Sequence, residues 1–426
     1  MREMEDSGIE WIGEIPADWT LQRGKTIFAQ RLTKGNQSEI LLAATQKYGM
    51  LPQSEVEGVV QVKEDADLQQ FRTVHKKDFV ISLRSFQGGF EYSQYEGVCS
   101  PAYQVFYNTT PICHNYYRLL FKSDGFIQKM NSMTVGIREG KNIQYSDFAN
   151  SLIPVPPIDQ QQHIADYLDC KCSQIDAIIA RQQEVIEKLK AYKLSVITEA
   201  VTKGLNPNVP MKDSGVEWIG EIPEDWEISK LKFMGHFVNG YAFPSSSFTT
   251  DGVRVMKIAN IQPMEISWID ESYVDISEYD KLPMYRVEQG DLVFALTRPI
   301  INGGIKVAIF DGKEKVLLNQ RNAMFKGLSR VLPRWMYYVM QNQMYVQKFA
   351  LYIDGTGQQP NISTNEISQI EIPIPPIEVQ QQVIMKLNEV IASIEKLASL
   401  KERVIKQLSD YKKSLIYEVV TGKKEV

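Results

Sequence analysis

Apolar residues return at every seventh position along two stretches of this chain. In the first, Leu168, Ile175, Gln182, Leu189 and Val196 form one row, and Lys171, Ile178, Val185, Tyr192 and Glu199 form a second row three positions on. In the second, Leu387, Ile394, Lys401, Leu408 and Leu415 are followed three positions on by Val390, Leu397, Val404, Tyr411 and Glu418. Mostly apolar rows at period seven over several heptads predict coiled-coil helices with these residues in the seam. Ile179, Ile186, Ile391 and Ile405 widen each stripe beyond a two-helix seam, so the helices are expected to bury surface against additional protein. About 45 residues at 1.5 Å each give a rod of roughly 65 Å. Pro156-Pro157 and Pro375-Pro376 force the chain to enter each helix extended. Asp159 and Glu378 then put negative charge at the positive end of the helix dipole, and Gly204 and Gly422 mark the stops.

The remaining pattern is of mixed type. Residues 1–155 carry short β-type runs, DFVISL (78–83) and YQVFY (103–107), with a helical stretch near 114–130. Residues 213–374 carry VRVMKI (253–258), DLVFAL (291–296), GIKVAIF (304–310) and NAMFKG (322–327) as strands. A helix over 333–351 is expected to begin at Pro333, a residue suited to the first turn. Four blocks result: globular 1–155, helix and linker 156–212, globular 213–374 and helix 375–426. The predicted class is α+β, two mixed globular domains separated by two long antiparallel coiled-coil helices.

The chain repeats itself, which makes the fold an internal pseudo-two-fold. DSGIEWIGEIPADW (6–19) returns as DSGVEWIGEIPEDW (213–226), and IPVPPIDQQQ (153–162) as IPIPPIEVQQ (372–381). SVITEAVTKG (195–204) returns as SLIYEVVTGK (414–423). The middles have kept their outline and changed their side chains: KKDFVISLRSFQGG (76–89) parallels QGDLVFALTRPIINGG (289–304), and GIREGKNI (136–143) parallels GTGQQPNI (355–362). Repeated ends and divergent middles suggest one scaffold presenting two binding surfaces. Trp11, Trp19, Trp218 and Trp226 fall in the best-repeated segment and are expected to pack the joint between each globular block and the helices.

Composition narrows the class. The 426 residues allow two to four domains. There is no apolar run of the length that spans a bilayer, and the acidic start MREMEDSG does not read as a secretory signal. Cys99, Cys113, Cys170 and Cys172 fit neither a zinc knuckle nor a CxxC redox pair, so free thiols in a reducing cytoplasm are expected. The net charge of −5 argues mildly against nucleic acid, yet Lys and Arg outnumber Asp and Glu between Lys281 and Lys348.

No catalytic or metal-binding constellation stands out. GIREGKN (136–142) is too short for a P-loop and lacks its Ser/Thr, and His75, His114, His163 and His236 do not have metal-ligand spacing. A non-catalytic binding protein is the better reading. Duplex DNA requires cations for phosphates and forked donors for base edges. In the first middle the candidates are Lys47 in TQKYG (45–49), Arg84, Gln87, Arg138, Lys141 and Asn142. In the second they are Arg298, Asn302, Lys306, Arg321 and Gln358. Arginines suit guanine, and Gln or Asn suits adenine. Arg84 and Arg298 follow the same predicted strand in the two copies.

These duplicated motifs, GIEWIGEIPADW and GVEWIGEIPEDW opening each half and IPVPPIDQQQHIADYL and IPIPPIEVQQQVIMKL opening each long helix, resemble the specificity subunit of type I restriction–modification enzymes over nearly the whole chain. The resemblance implies two target-recognition domains, each reading one half of a split double-stranded DNA target. It also implies helices that set the gap and dock two modification (methyltransferase) subunits through the seam residues Leu168, Ile175, Ile178, Val185, Leu189, Leu387, Ile394, Leu397, Val404 and Leu408. Restriction subunits would join that core. S-adenosylmethionine, ATP and Mg would then belong to the partner subunits, with no cofactor, metal or catalysis in this cytoplasmic, membrane-free chain. Two alternatives remain open: a specificity module for another methyltransferase-type defence system, and a coiled-coil scaffold bridging partners other than DNA.

Overall fold

In a computed structural model, residues 2–35, 40–56, 68–82, 89–133, 143–327, 329–355 and 359–426 are described. The chain divides into two compact units. The first comprises Met1–Gln183 with Glu402–Val426, and the second Glu184–Lys401. Each unit therefore takes part of both long helices, Ile158–Lys203 and Ile377–Val420.

The first unit is organised on a four-stranded antiparallel sheet in the order Phe28–Arg31, Gln104–Asn108, Phe79–Ile81, Phe90–Tyr92. Alternation along the strands feeds two cores: Phe79, Ile81 and Phe106 enter one, and Val80 and Val105 the other. Both faces are covered, which explains why DFVISL reads as a nearly continuous apolar run. The larger core is aromatic; Phe28 meets the edge of Phe106 at 5.4 Å between centroids, and Phe106 lies 4.7 Å from Phe148. The helical stretch is two helices, His114–Phe121 and Asp124–Met133.

The second unit repeats this plan with different side chains. Its sheet runs His236–Asn239, Asn322–Lys326, Leu292–Ala295, Val307–Ile309. Leu292, Phe294, Val307 and Phe325 face one core, and Val293, Ala295, Ala308 and Met324 face another. A further five-stranded sheet contains one parallel pair, Val253–Met256 beside Val316–Leu318. The helix expected over 333–351 is split into Pro333–Val339 and Gln343–Ala350, because the Asn342 side chain accepts a bond from the Met344 amide and caps a new helix.

The repeated ends form the frame. Thr20–Arg23 pairs with Leu152–Val155, and Glu227–Lys230 pairs with Glu371–Ile374, so in each unit a two-stranded ribbon ties the opening motif to the diproline. Trp19 donates its indole N–H to Gln160 at 2.8 Å, and a Cβ on Gly422 would reach its ring at 3.1 Å. Trp226 packs edge-on against the fully buried Trp335 at 5.6 Å, and a Cβ on Gly204 would reach it at 3.2 Å. Edge-to-face aromatic pairs add about 0.5–1.5 kcal/mol to what burial provides. Gly204 and Gly422 take φ of 76° and 78°, the left-handed stop.

The helices bury a different pair of rows from the one expected. Leu168, Ile175, Leu387 and Ile394 are buried, and Val185, Leu189 and Leu408 are half-buried. Ile178, Leu397 and Val404 are exposed, at 45%, 41% and 38%. The row that accompanies the first lies four positions on, at Cys172, Ile179, Ile186, Ile391 and Ile405, rather than three. Within the first unit Lys412 bonds Asp176 at 2.6 Å, and within the second Lys193 bonds Glu395 at 2.6 Å.

Candidate nucleic-acid interface

One edge of the second unit collects several of the candidate residues. Strand Leu292–Ala295 pairs Ala295 with Asn322, so the turn after the first strand and the turn before the second lie side by side. Arg298 stands on one and Arg321 on the other. The Arg298 amide donates to Pro360 O at 2.8 Å, and the Leu296 amide donates to Arg321 O at 2.9 Å. Buried Asn322 fixes the second turn by donating to Met256 O (3.1 Å) and Asn319 O (3.2 Å).

Both arginines, and Asn302, sit in left-handed backbone, at φ of 46°, 63° and 49° respectively. Asn302-Gly303 is the tip of a two-residue hairpin joining Ile300–Ile301 to Gly304–Ile305, a turn that requires positive φ at both centres. For arginine the same conformation costs about 1–2 kcal/mol per residue. Strain of this kind is held in place by the surrounding bonds and concentrates at binding sites.

Ion pairing separates these two arginines from several neighbouring cations. Between Lys281 and Lys348 part of the basic excess is neutralised: Lys281 meets Glu278 at 2.7 Å, Arg286 meets Asp280 at 3.4 Å, Arg334 meets Asp311 at 3.6 Å, and Arg330 meets Glu227. Lys326 bonds Asp291 at 2.5 Å. Arg254 is paired with Glu271 at 2.7 Å. Among the described residues, Arg298 and Arg321 are exposed and have no carboxylate within ion-pair distance, which leaves the guanidinium groups on these two neighbouring turns for an external anion or base edge.

Lys306 differs from expectation. It is 6% exposed, and its ammonium donates to Ile258 O at 2.6 Å. Burial, then the Arg298 charge, hold its pKa below the ordinary lysine value. Its amide donates to Pro299 O and its carbonyl accepts from the Ala295 amide, so Lys306 braces the Arg298 turn rather than reaching outward.

In the first unit, Lys47 is exposed at the tip of the hairpin formed by Leu42–Thr45 and Gly49–Pro52, with its ammonium 5.0 Å from the Tyr48 ring. Thr45 Oγ1 donates to Gly49 O and accepts from the Tyr48 amide, which makes the tip stiff. Arg84, Gln87, Arg138, Lys141, Asn142 and, in the second unit, Gln358 lie outside the described residues.

Two functional residues of the scaffold escaped the sequence reading. Gln161 donates to Pro156 O and accepts from the Cys113 amide, both at 2.9 Å. Gln380, its counterpart, donates to Pro375 O (2.9 Å) and Arg330 O (2.8 Å) and accepts from the Leu332 amide (2.9 Å). Each glutamine staples the start of a long helix to the helix that covers its sheet. The signal was present: the only glutamine common to both diproline motifs at a core-facing position of the first helical turn.

Among the described residues no helix is long and apolar enough to cross a membrane, and no group of three His, Cys, Asp or Glu side chains is arranged to hold a metal.

The family described as type I restriction modification DNA specificity domain matches residues 2–189 and again 223–406. The chain is 33% identical over 290 residues to the type I restriction enzyme MjaVIII specificity subunit of Methanocaldococcus jannaschii, covering 67% of this chain and 65% of that one. It is 30% identical over 215 residues to the EcoAI specificity subunit of Escherichia coli, covering 50% of this chain and 36% of that one. The match to the putative MjaX specificity subunit of M. jannaschii runs nearly end to end, at 26% identity over 97% of this chain and 95% of the relative. In fold, it is similar to a chain solved in work on complex assembly and conformational transition of the type I R–M system, with a TM-score of 0.74 at 13% identity over 96% of this chain and 99% of that one. The HsdS subunit from Thermoanaerobacter tengcongensis gives a TM-score of 0.54 at 13% identity over 96% and 98%. The chain belongs to the type I restriction–modification DNA specificity family.

Proposed function

We propose that this chain is the DNA-addressing subunit of a type I restriction–modification complex and performs no chemistry itself. Each mixed domain reads one half of a split, asymmetric duplex target. The long helices set the gap and dock two methyltransferase subunits, and restriction subunits complete the assembly. S-adenosylmethionine, ATP and Mg are carried by those partners. The observation that carries this reading is that the specificity-domain match occurs twice in one chain, once over each divergent middle. The free guanidinium groups of Arg298 and Arg321 supply the donors such reading requires in the second half. Mapping methylated adenines across the genome with and without this gene tests it. Loss of methylation at one bipartite motif is expected; an unchanged pattern would refute it. Removing one heptad from each long helix is expected to alter the gap while both half-sequences persist.

A further inference from the structure

The turn that leads into strand Asn322–Lys326 is pinned from several sides. The Gln320 amide donates to Tyr241 O at 2.8 Å and to Asn319 Oδ1 at 2.9 Å. The Asn319 amide donates to Met256 O at 3.0 Å, and the Tyr241 amide to Leu318 O at 2.9 Å. Gly240 lets the neighbouring segment come this close, since a Cβ there would stand 2.0 Å from Asn319 O. The bond from the Leu296 amide to Arg321 O then ties this turn to the one that carries Arg298.

Most amide side chains at this edge are spent inside the protein. Asn319 turns its oxygen onto the Gln320 amide, and Asn322 donates to two carbonyls. Asn361 accepts from the Thr297 hydroxyl at 2.6 Å and donates to Gln359 O at 2.8 Å. Gln320 is the exception. It is exposed, and among the described residues its side chain has no hydrogen-bond partner.

The chemistry of the two turns makes that exception informative. A guanidinium group only donates, so Arg298 and Arg321 suit guanine or phosphate and cannot accept from the adenine amino group. Thr297 is buried and its hydroxyl is engaged. Among the described side chains of these turns, Gln320 alone keeps both an acceptor and a donor unspent, the pair that an adenine N6/N7 edge requires. Its backbone is already fixed, so binding would order little beyond the side chain itself.

We infer that Gln320 is a specificity-determining residue that holds the major-groove edge of an adenine in one half of the target, an inference that rests on the proposed DNA-addressing role.

The test is competition binding by the assembled complex with its methyltransferase subunits, against duplexes that vary every position of the methylated motif in turn. Gln320→Ala, and Gln320→Met, which keeps the length of the side chain, should each lower the preference for A·T at one position of one half-sequence at least tenfold. The salt slope and the other half-sequence should be unchanged, because an uncharged side chain displaces no counterion. Gln320→Glu should move the preference at that position toward C·G, since a carboxylate accepts from cytosine N4; a structural role would not produce that change of letter. Folded variants with wild-type preference at every position overturn the assignment. Affinity lost uniformly across all sequences, or preference lost at a G·C pair, overturns it as well. A wild-type complex that binds no duplex in preference to random sequence overturns the proposed function, and the role of Gln320 with it.

Discussion

Replacing Gln380 with leucine removes a polar side chain from the joint between a long helix and its domain while nearly conserving volume. Gln380 is fully buried and makes three hydrogen bonds, to Pro375 O, Arg330 O and the Leu332 amide. Leucine leaves two carbonyls and one amide without the side-chain partner they have in the wild type. At about 1 kcal/mol net per bond the expected cost is about 3 kcal/mol, or roughly a hundredfold in the local opening equilibrium. Gln161→Leu breaks two bonds, to Pro156 O and the Cys113 amide, and should cost about 2 kcal/mol. Bulk unfolding is a poor readout, because two units need not unfold in one step. Native-state hydrogen exchange at two amides separates them. In Gln380→Leu the Leu332 amide should exchange about a hundredfold faster while the Cys113 amide is unchanged, and Gln161→Leu should do the reverse. Leu332 protection within threefold of wild type would refute the claim that this glutamine holds the joint.

Three further outcomes are expected. Arg298→Ala and Arg321→Ala should each lower the slope of log affinity against log salt by about one in the assembled complex, whereas Lys306→Met should lower stability with the slope intact; an unchanged slope in all three would remove the second-unit edge from the interface. Glu91 is 1% exposed beside Lys122, and burial raises its pKa to about 7 from 4.5. The folded state therefore holds the proton more tightly than the unfolded chain. Relative to Glu91→Gln, wild type should lose on the order of 3 kcal/mol as pH rises from about 4.5 to about 7 and be level above that; stability that rises across the window would contradict the assignment. Gly422→Ala should destabilise more than Gly204→Ala in thermal unfolding: both strain a left-handed stop by about 1–2 kcal/mol, but only at Gly422 does the new Cβ come within 2.4 Å of a ring atom, in Pro16.

The frame was legible because its signals are local. Prolines that cannot continue a helix, glycines that can take positive φ and a duplicated motif place the long helices and ribbons without tertiary information. The seam was less so. Residues three and four positions on from Leu168 and its heptad mates are both apolar in places, so period seven alone could not choose between Ile178 and Ile179. Packing chose the latter, and Ile178, Leu397 and Val404 were left facing out. Lys306 was misjudged for a related reason. It alternates with Ile305 and Val307, which marks the opposite face of the strand, but nothing local reveals that residues around Ile258 cover that face. The splits at 122–123 and 340–342 were missed because caps of single short helices are weak against a continuous apolar period. The pairing of Arg298 with Arg321 arises from a sheet register between segments more than twenty residues apart, which periodicity does not encode.

The central claim is that the divergent middles carry the address and the repeated ends carry the frame. Exchanging residues 230–352 for the equivalent segment of another family member, followed by genome-wide adenine methylation mapping, addresses it most directly. The account predicts a bipartite motif in which one half-sequence changes while the other half and the gap persist. A motif altered in both halves, or one left unchanged, would contradict it.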